Sequence, residues 1–363
     1  MQDSRLFRFL QFALGQLQEY EGGFSDEEWK NLYALAVRQS LVGVIYAGIL
    51  RLPVDKRPPR QLLLRWSFQA EAIKGMNGLQ NREAARLTAL FAKEGRRTAV
   101  LKGQANARLY PDAFIRQPGD IDLWVDGGRE SVEELLKRLN LMGAPSISKH
   151  HLELAKEGSE VPVEIHFKPA AGSRNPKSYR ALMEFLEREI LKSEMVPEGF
   201  YAPPLQFALV MQLSHIYQHF FGSGIGLRQL MDYSQLLRAS TPEIRNEISP
   251  LLPAMGLHRI ASALMWVEQE VFGLADEMLL CKPDARRGRV LLREVMDGGN
   301  FGNYAEKYRH SVFVRWLKDR VHAVRHLSFD FKEVVWCEIR YWIATVKLIP
   351  KRIRVGKLGL GGR

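Results

Sequence analysis

Two cysteines in 363 residues, Cys281 and Cys337, fit neither a disulfide framework nor the paired spacing of a cysteine zinc site. A reducing compartment, the cytoplasm, is the expectation. No run of about 18 uncharged apolar residues occurs, which argues against a membrane-spanning helix. The opening MQDSRLFRFLQFAL lacks a basic, then apolar, then small-residue layout, so no secretory signal is expected. Internal repeats and low-complexity tracts are missing too, and the apolar share of 46% and charged share of 26% are those of an ordinary globular chain.

Acid is short relative to base, for a net charge of +11. From Asn303 to Arg363 there are 14 Lys/Arg against 5 Asp/Glu, so most of the excess sits at the end of the chain. Such a stretch serves solubility, or a contact with nucleic acid, an anionic lipid surface or a polyphosphate. A C-terminal helix over 334–349, with Trp336, Tyr341 and Trp342 ahead of Lys351, Arg352 and Arg354, carries the membrane-surface option. Packing against the helical body is the preferred expectation for it.

Residues 1–93 read as helical, with apolar residues at three- and four-residue intervals (Leu10, Ala13, Leu17; Trp29, Leu32, Leu35, Ala36) and a break at Pro53, Pro58 and Pro59. From Arg96 short apolar runs alternate with Gly and Pro. Strands are expected near 98–102, 120–126 and 161–168, with helices at 103–110 and 129–141. Helical periodicity returns after Pro203-Pro204, over 205–220, 227–237, 260–272 and 312–326, interrupted by a glycine-rich loop at 297–302. The expected division is 1–93 helical, 94–195 mixed, and 196–363 helical with a basic tail.

The chemistry concentrates in the middle region. Asp120 and Asp122 are two apart on a strand, so they share one face while Ile121 and Leu123 take the other. Two neighbouring carboxylates suit a divalent metal. On the third strand Val161, Val163, Ile165 and Phe167 form an apolar face, which leaves Glu164 and His166 together opposite it. Three carboxylates on one sheet edge suit two Mg²⁺ ions about 4 Å apart, an arrangement for in-line displacement at phosphorus. Upstream, Lys102-Gly103 ends a strand and begins a short helix, where a glycine turn and a lysine favour phosphate.

The string LKG, then R-x-x-GDIDLWV, then VEIH resembles nucleotidyltransferases of the DNA polymerase β superfamily, in particular an uncharacterised bacterial family with the signature LKG…R…GDIDL…E-x-H and a helical C-terminal half. The resemblance implies an α+β fold: a small mixed sheet of the polymerase β type between helical N- and C-terminal regions. It implies that Gly103, with Lys102, forms the triphosphate turn, that Asp120 and Asp122 bind two Mg²⁺ (Mn²⁺ as substitute), and that Glu164 is the third acid, which helps deprotonate the acceptor hydroxyl. At the turn this chain has Lys102-Gly103-Gln104 where the superfamily commonly has Gly-Ser or Gly-Gly.

Around these, Arg116 is a candidate triphosphate contact, and His166 a candidate for orienting Glu164 or touching substrate. Arg228 and Asp232 are i and i+4 on a helix, and an intrahelical ion pair beside the site is expected. His215 and His219 are also i and i+4; without a third ligand nearby they read as buried polar packing. The expected activity is transfer of an NMP from an NTP, ATP first, to a hydroxyl of an acceptor that the sequence does not define, with an anionic one slightly favoured. A nucleotide-binding protein of this fold without turnover and a γ-phosphotransferase are the alternatives.

Overall fold

In the computed structural model the described residues are 2–143, 150–155, 158–170, 175–222, 224–299 and 326–354. The chain opens with helices α1 (Gln2–Ala13), α2 (Asp26–Gln39), α3 (Val42–Arg51) and α4 (Arg60–Lys93). Local chemistry sets their ends. Ser25 caps α2 in a reciprocal pair with Glu28, satisfying amides that a helix start leaves orphaned, a device worth about 1 kcal/mol. Pro58-Pro59 precedes the 34-residue α4, and Gly95, at φ +69°, turns the chain away from it.

The sheet follows: β1 (Thr98–Val100), the one-turn α5 (Gln104–Ala107), β2 (Ile121–Val125), α6 (Gly128–Arg138), β3 (His151–Glu153) and β4 (Val163–His166). Strand order is β1-β2-β4-β3, with β2 and β4 parallel and the outer pairs antiparallel, a small mixed sheet within an α+β protein. Three of these strands match the expected segments at shorter length. β3, on the edge, was not anticipated. After α7 (Pro176–Ile190) a two-stranded ribbon, β5 (Glu194–Met195) with β6 (Tyr201–Ala202), leads to α8 (Leu205–Phe220), α9 (Leu227–Ala239), α10 (Pro242–Ile248), α11 (His258–Phe272), α12 (Ala285–Gly298) and α13 (Phe331–Arg354).

The first and last thirds of the chain share one core. Phe9, Trp29 and Ile45 are fully or almost fully buried in the same cluster as Leu230, Leu264 and Phe272. Buried glutamines stitch the two thirds together: Gln39 donates to the Val295 carbonyl and accepts from the Leu227 amide, both at 2.9 Å, and Gln11 donates to the Val271 carbonyl at 3.0 Å. A second cluster lies between the sheet and the helices α4 and α6. In α13 Val334 is buried, whereas Ile339, Trp342 and Ile343 are exposed. The side chains of Tyr341, Lys351, Arg352 and Arg354, the loop beyond Gly299 and the helix expected over 312–326, His326 apart, lie outside the described residues.

Candidate active site

Because β2 and β4 are parallel in the register Asp122 to Glu164 and Trp124 to His166, the alternation of each strand adds to that of its neighbour. Ile121, Leu123 and Val125, with Val163, Ile165 and Phe167, pack on Leu87 and Phe91 of α4 and on Leu135 and Leu136 of α6. Asp122, Glu164 and His166 are thereby turned to the opposite face. There α8 contributes Ser214, His215, Gln218 and His219, and a cavity of about 310 Å³ lies between the two walls. Asp120 stands one residue before β2 and lines the same cavity, as does Lys102.

The turn after β1 sets Lys102. The Leu101 amide donates to the Asp122 carbonyl at 2.9 Å, so Lys102 follows directly beside Asp122. Its ammonium bonds Asp122 Oδ2. Gly103 has φ +63° and ψ −105°, a conformation that essentially requires glycine. Asp122 Oδ1 accepts from His166 Nε2 at 3.1 Å, and that nitrogen also lies 3.3 Å from Glu164 Oε2. Glu164 Oε2 is in turn 3.2 Å from His151 Nδ1.

The carboxylates diverge electrostatically. Burial works against ionisation of Asp122, but Lys102 and His166 outweigh it and hold the carboxyl well below the usual range. Asp120 is pushed up, first by burial and then by the neighbouring Asp122. Glu164 is lowered, its burial overcome by the hydrogen bond to His166 and by nearby histidines. His166 is raised: burial disfavours its charge, and Asp122 and Glu164 more than restore it. On the other walls burial lowers His150 to about 4 and His219 to about 4, with His166 and Lys102 respectively adding repulsion. One cavity thus holds carboxylates shifted in opposite directions, a lysine ammonium, a histidine whose charge is favoured and others whose charge burial disfavours.

A family model described as uncharacterised nucleotidyltransferase matches residues 25–273, more than half of the chain. The chain belongs to that family. Searches of curated proteins and of solved structures return no match. The matched segment runs from the α2 cap to the end of α11 and contains every cavity-lining group.

Arg116, Arg228 and Asp232 are arranged differently from the expectation. Asp232 is gripped by Arg116, with Nε to Oδ1 and Nη2 to Oδ2 both at 2.7 Å, and accepts from the Tyr110 hydroxyl at 2.8 Å. Arg228 instead directs Nη1 to the carbonyls of Gln117 and Pro118, at 3.0 and 3.2 Å. The intrahelical pair read from i,i+4 spacing gives way to a long-range pair, because a buried carboxylate gains more from a guanidinium fork meeting both oxygens than from a helical neighbour. Arg116, expected at the triphosphate, is buried in that pair and is not among the residues lining the cavity.

These contacts converge on the loop that enters β2. Asn77 of α4 donates to the carbonyls of Phe114 and Arg116, both at 2.9 Å, and Gln80 donates to that of Gly119. The loop before Asp120 is therefore held from α4 on one side and α9 on the other. Sequence reasoning missed Asn77 and Gln80; two amides three apart on an otherwise amphipathic helix were the available signal. It also missed His150 and His151, which line the cavity from the start of the edge strand and the residue before it, and took His215 and His219 as packing where they form its far wall.

Proposed function

We propose that this protein transfers the nucleoside monophosphate of an NTP, ATP first, to an acceptor hydroxyl, as an enzyme of the DNA polymerase β superfamily. The observation that carries the reading is the gathering of Asp120, Asp122 and Glu164 with Lys102 around one cavity. The donor set suits a hard divalent cation, since all three acids offer carboxylate oxygens. Asp120, Asp122 and Glu164 would hold two Mg²⁺, or Mn²⁺, and Lys102 is the internal cation that balances Asp122 until then. What the ions supply is positive charge against the phosphates and a lowered pKa for the acceptor hydroxyl.

The chain's own groups do the rest. Glu164, part-exposed at the cavity wall and oriented by His166, accepts the acceptor's proton as its oxygen bonds to the α-phosphorus and the bond to pyrophosphate breaks. Lys102, at the Gly103 turn, neutralises a phosphate oxygen. Asp122 remains ionised throughout, because Lys102 and His166 stabilise its charge.

One observation favours a second reading, a nucleotide-binding protein without turnover: Lys102 occupies an oxygen of Asp122 that a metal would need, and no serine follows Gly103. The two separate on α-phosphate-labelled NTPs with Mg²⁺ or Mn²⁺ and cell extract. Transfer moves label to an acceptor with release of pyrophosphate, and the Asp120→Ala/Asp122→Ala variant does not. Release of ADP from ATP, with label following the γ-phosphate, identifies a phosphotransferase. If no label moves and the double variant behaves as wild type in cells, the enzymatic reading is wrong.

A further inference from the structure

Five of the chain's nine histidines line the cavity, and the transfer reading uses only His166. His150, His151 and His166 form a group of their own. Their ring centroids are 4.5, 5.3 and 5.5 Å apart, and one ring nitrogen of each lies within 4.8 Å of the others. The ladder of β3 and β4 creates this grouping: His151 pairs directly across from His166, and the His150 carbonyl accepts from the Phe167 amide at 3.1 Å. The three rings are thus carried by paired backbone, the kind of rigid support a ligand set requires.

Protons alone serve these atoms poorly. His151 Nδ1 lies 3.1 Å from His150 Nε2 and 3.2 Å from Glu164 Oε2. A ring nitrogen carries a proton or a lone pair, never both, so one hydrogen there has two acceptors to satisfy. A cation among the rings uses every nitrogen's lone pair at once. Ligands about 2.0–2.1 Å from a tetrahedral ion are about 3.3–3.4 Å from one another, close to the 3.1 Å between His151 Nδ1 and His150 Nε2, and one ring nitrogen of His166 lies within 4.8 Å of both. His166 adds a second sign. Its Nε2 lies against Asp122, and its buried Nδ1 has no hydrogen-bond partner among the described residues. Metal-bound imidazoles use this same carboxylate support on their other nitrogen.

We propose that the imidazoles of His150, His151 and His166 bind one Zn²⁺-class ion, beside the hard cations that Asp120, Asp122 and Glu164 would hold. Imidazole selects Zn²⁺ and its first-row neighbours, whereas the carboxylates of the same cavity select Mg²⁺ or Mn²⁺.

The test uses the full chain, stripped by a chelator and titrated with Zn²⁺, and with Co²⁺ as a spectroscopic probe, in the absence of nucleotide. One equivalent of Zn²⁺, a tetrahedral Co²⁺ absorption band and a Zn²⁺-dependent rise in melting temperature are expected. His150→Ala/His151→Ala weakens Zn²⁺ by about 100-fold or more. Asp120→Ala leaves Zn²⁺ affinity unchanged. His150→Asn and His151→Asn, melted without metal, verify that the fold survives. Absence of the Co²⁺ band or unchanged Zn²⁺ affinity in the double histidine variant overturns the proposal. With no nucleotide present, its failure is distinct from failure of the transfer reading.

Discussion

Asp122 and Asp232 are both buried and both paired with a cation, yet their surroundings differ in kind. The guanidinium of Arg116 meets the two oxygens of Asp232, and Tyr110 supplies a third hydrogen bond; none of the three lines the cavity. Asp122 is bonded by the ammonium of Lys102 and the imidazole of His166, and all three line the cavity. A guanidinium fork is rigid and matched to one carboxylate; an ammonium is a point charge on a flexible stem, free to exchange one oxygen for another. Burial of an aspartate therefore does not tell a structural pair from a site. The reach and freedom of its cation do.

That contrast is broken most severely at Asp232. Asp232→Ala leaves Arg116 buried with no carboxylate, beside Arg228, whose burial already pushes it down to about 10. Removing one partner of a buried pair costs about 3–5 kcal/mol, and urea unfolding should register a loss of that size. Asp122→Ala should lose NMP transfer by about 100-fold or more, or about 2.7 kcal/mol. Its stability loss should be smaller than that of Asp232→Ala, because Lys102 retains Asp120 and Glu164 nearby. Equal destabilisation by the two substitutions would erase the distinction.

A gentler change sharpens it. Arg116→Lys keeps the charge but can no longer meet both oxygens of Asp232, and a hydrogen bond to a charged group is worth about 1.5–3 kcal/mol. Unfolding should report a loss in that range. Labelled-NTP transfer at saturating NTP should be unaltered if Arg116 only positions the loop. A raised KM for NTP would instead return Arg116 to the triphosphate.

How much of this was legible in the sequence depends on the range of the interaction. Period-two alternation turns Asp122, Glu164 and His166 to one face and Ile121, Leu123 and Ile165 to the other, since strand geometry is local. The partner of Asp232 was not legible: spacing favoured Arg228, while Arg116, 116 residues away, wins through packing that no local pattern records. His215 and His219 were known to share a helix face, but which face meets the sheet is fixed by how α8 docks. β3 was missed because His-Leu-Glu is too short and polar to announce a strand, and it carries one of the three grouped histidines.

A third buried carboxylate tests the same contrast with the cation removed. Glu268 on α11 is fully buried, and neither carboxyl oxygen has a hydrogen-bond partner among the described residues. Burial pushes its carboxyl well above the usual range, against smaller opposing effects of Ser234 and Arg238. Below the unfolded-chain value of about 4.3, folded and unfolded chains both carry the proton, and the stability is whole. As pH rises from there towards the raised folded value, the unfolded chain releases a proton that the folded chain keeps, so stability falls by up to about 1.4 kcal/mol per pH unit. Glu268→Gln removes that slope. Urea unfolding near pH 4 should find variant and wild type alike, and at pH 8 the variant should be the more stable. Equal slopes would mean that Glu268 is ionised in the folded state, held by a cation as Asp122 and Asp232 are, and burial without a dedicated partner would then not set this helix apart.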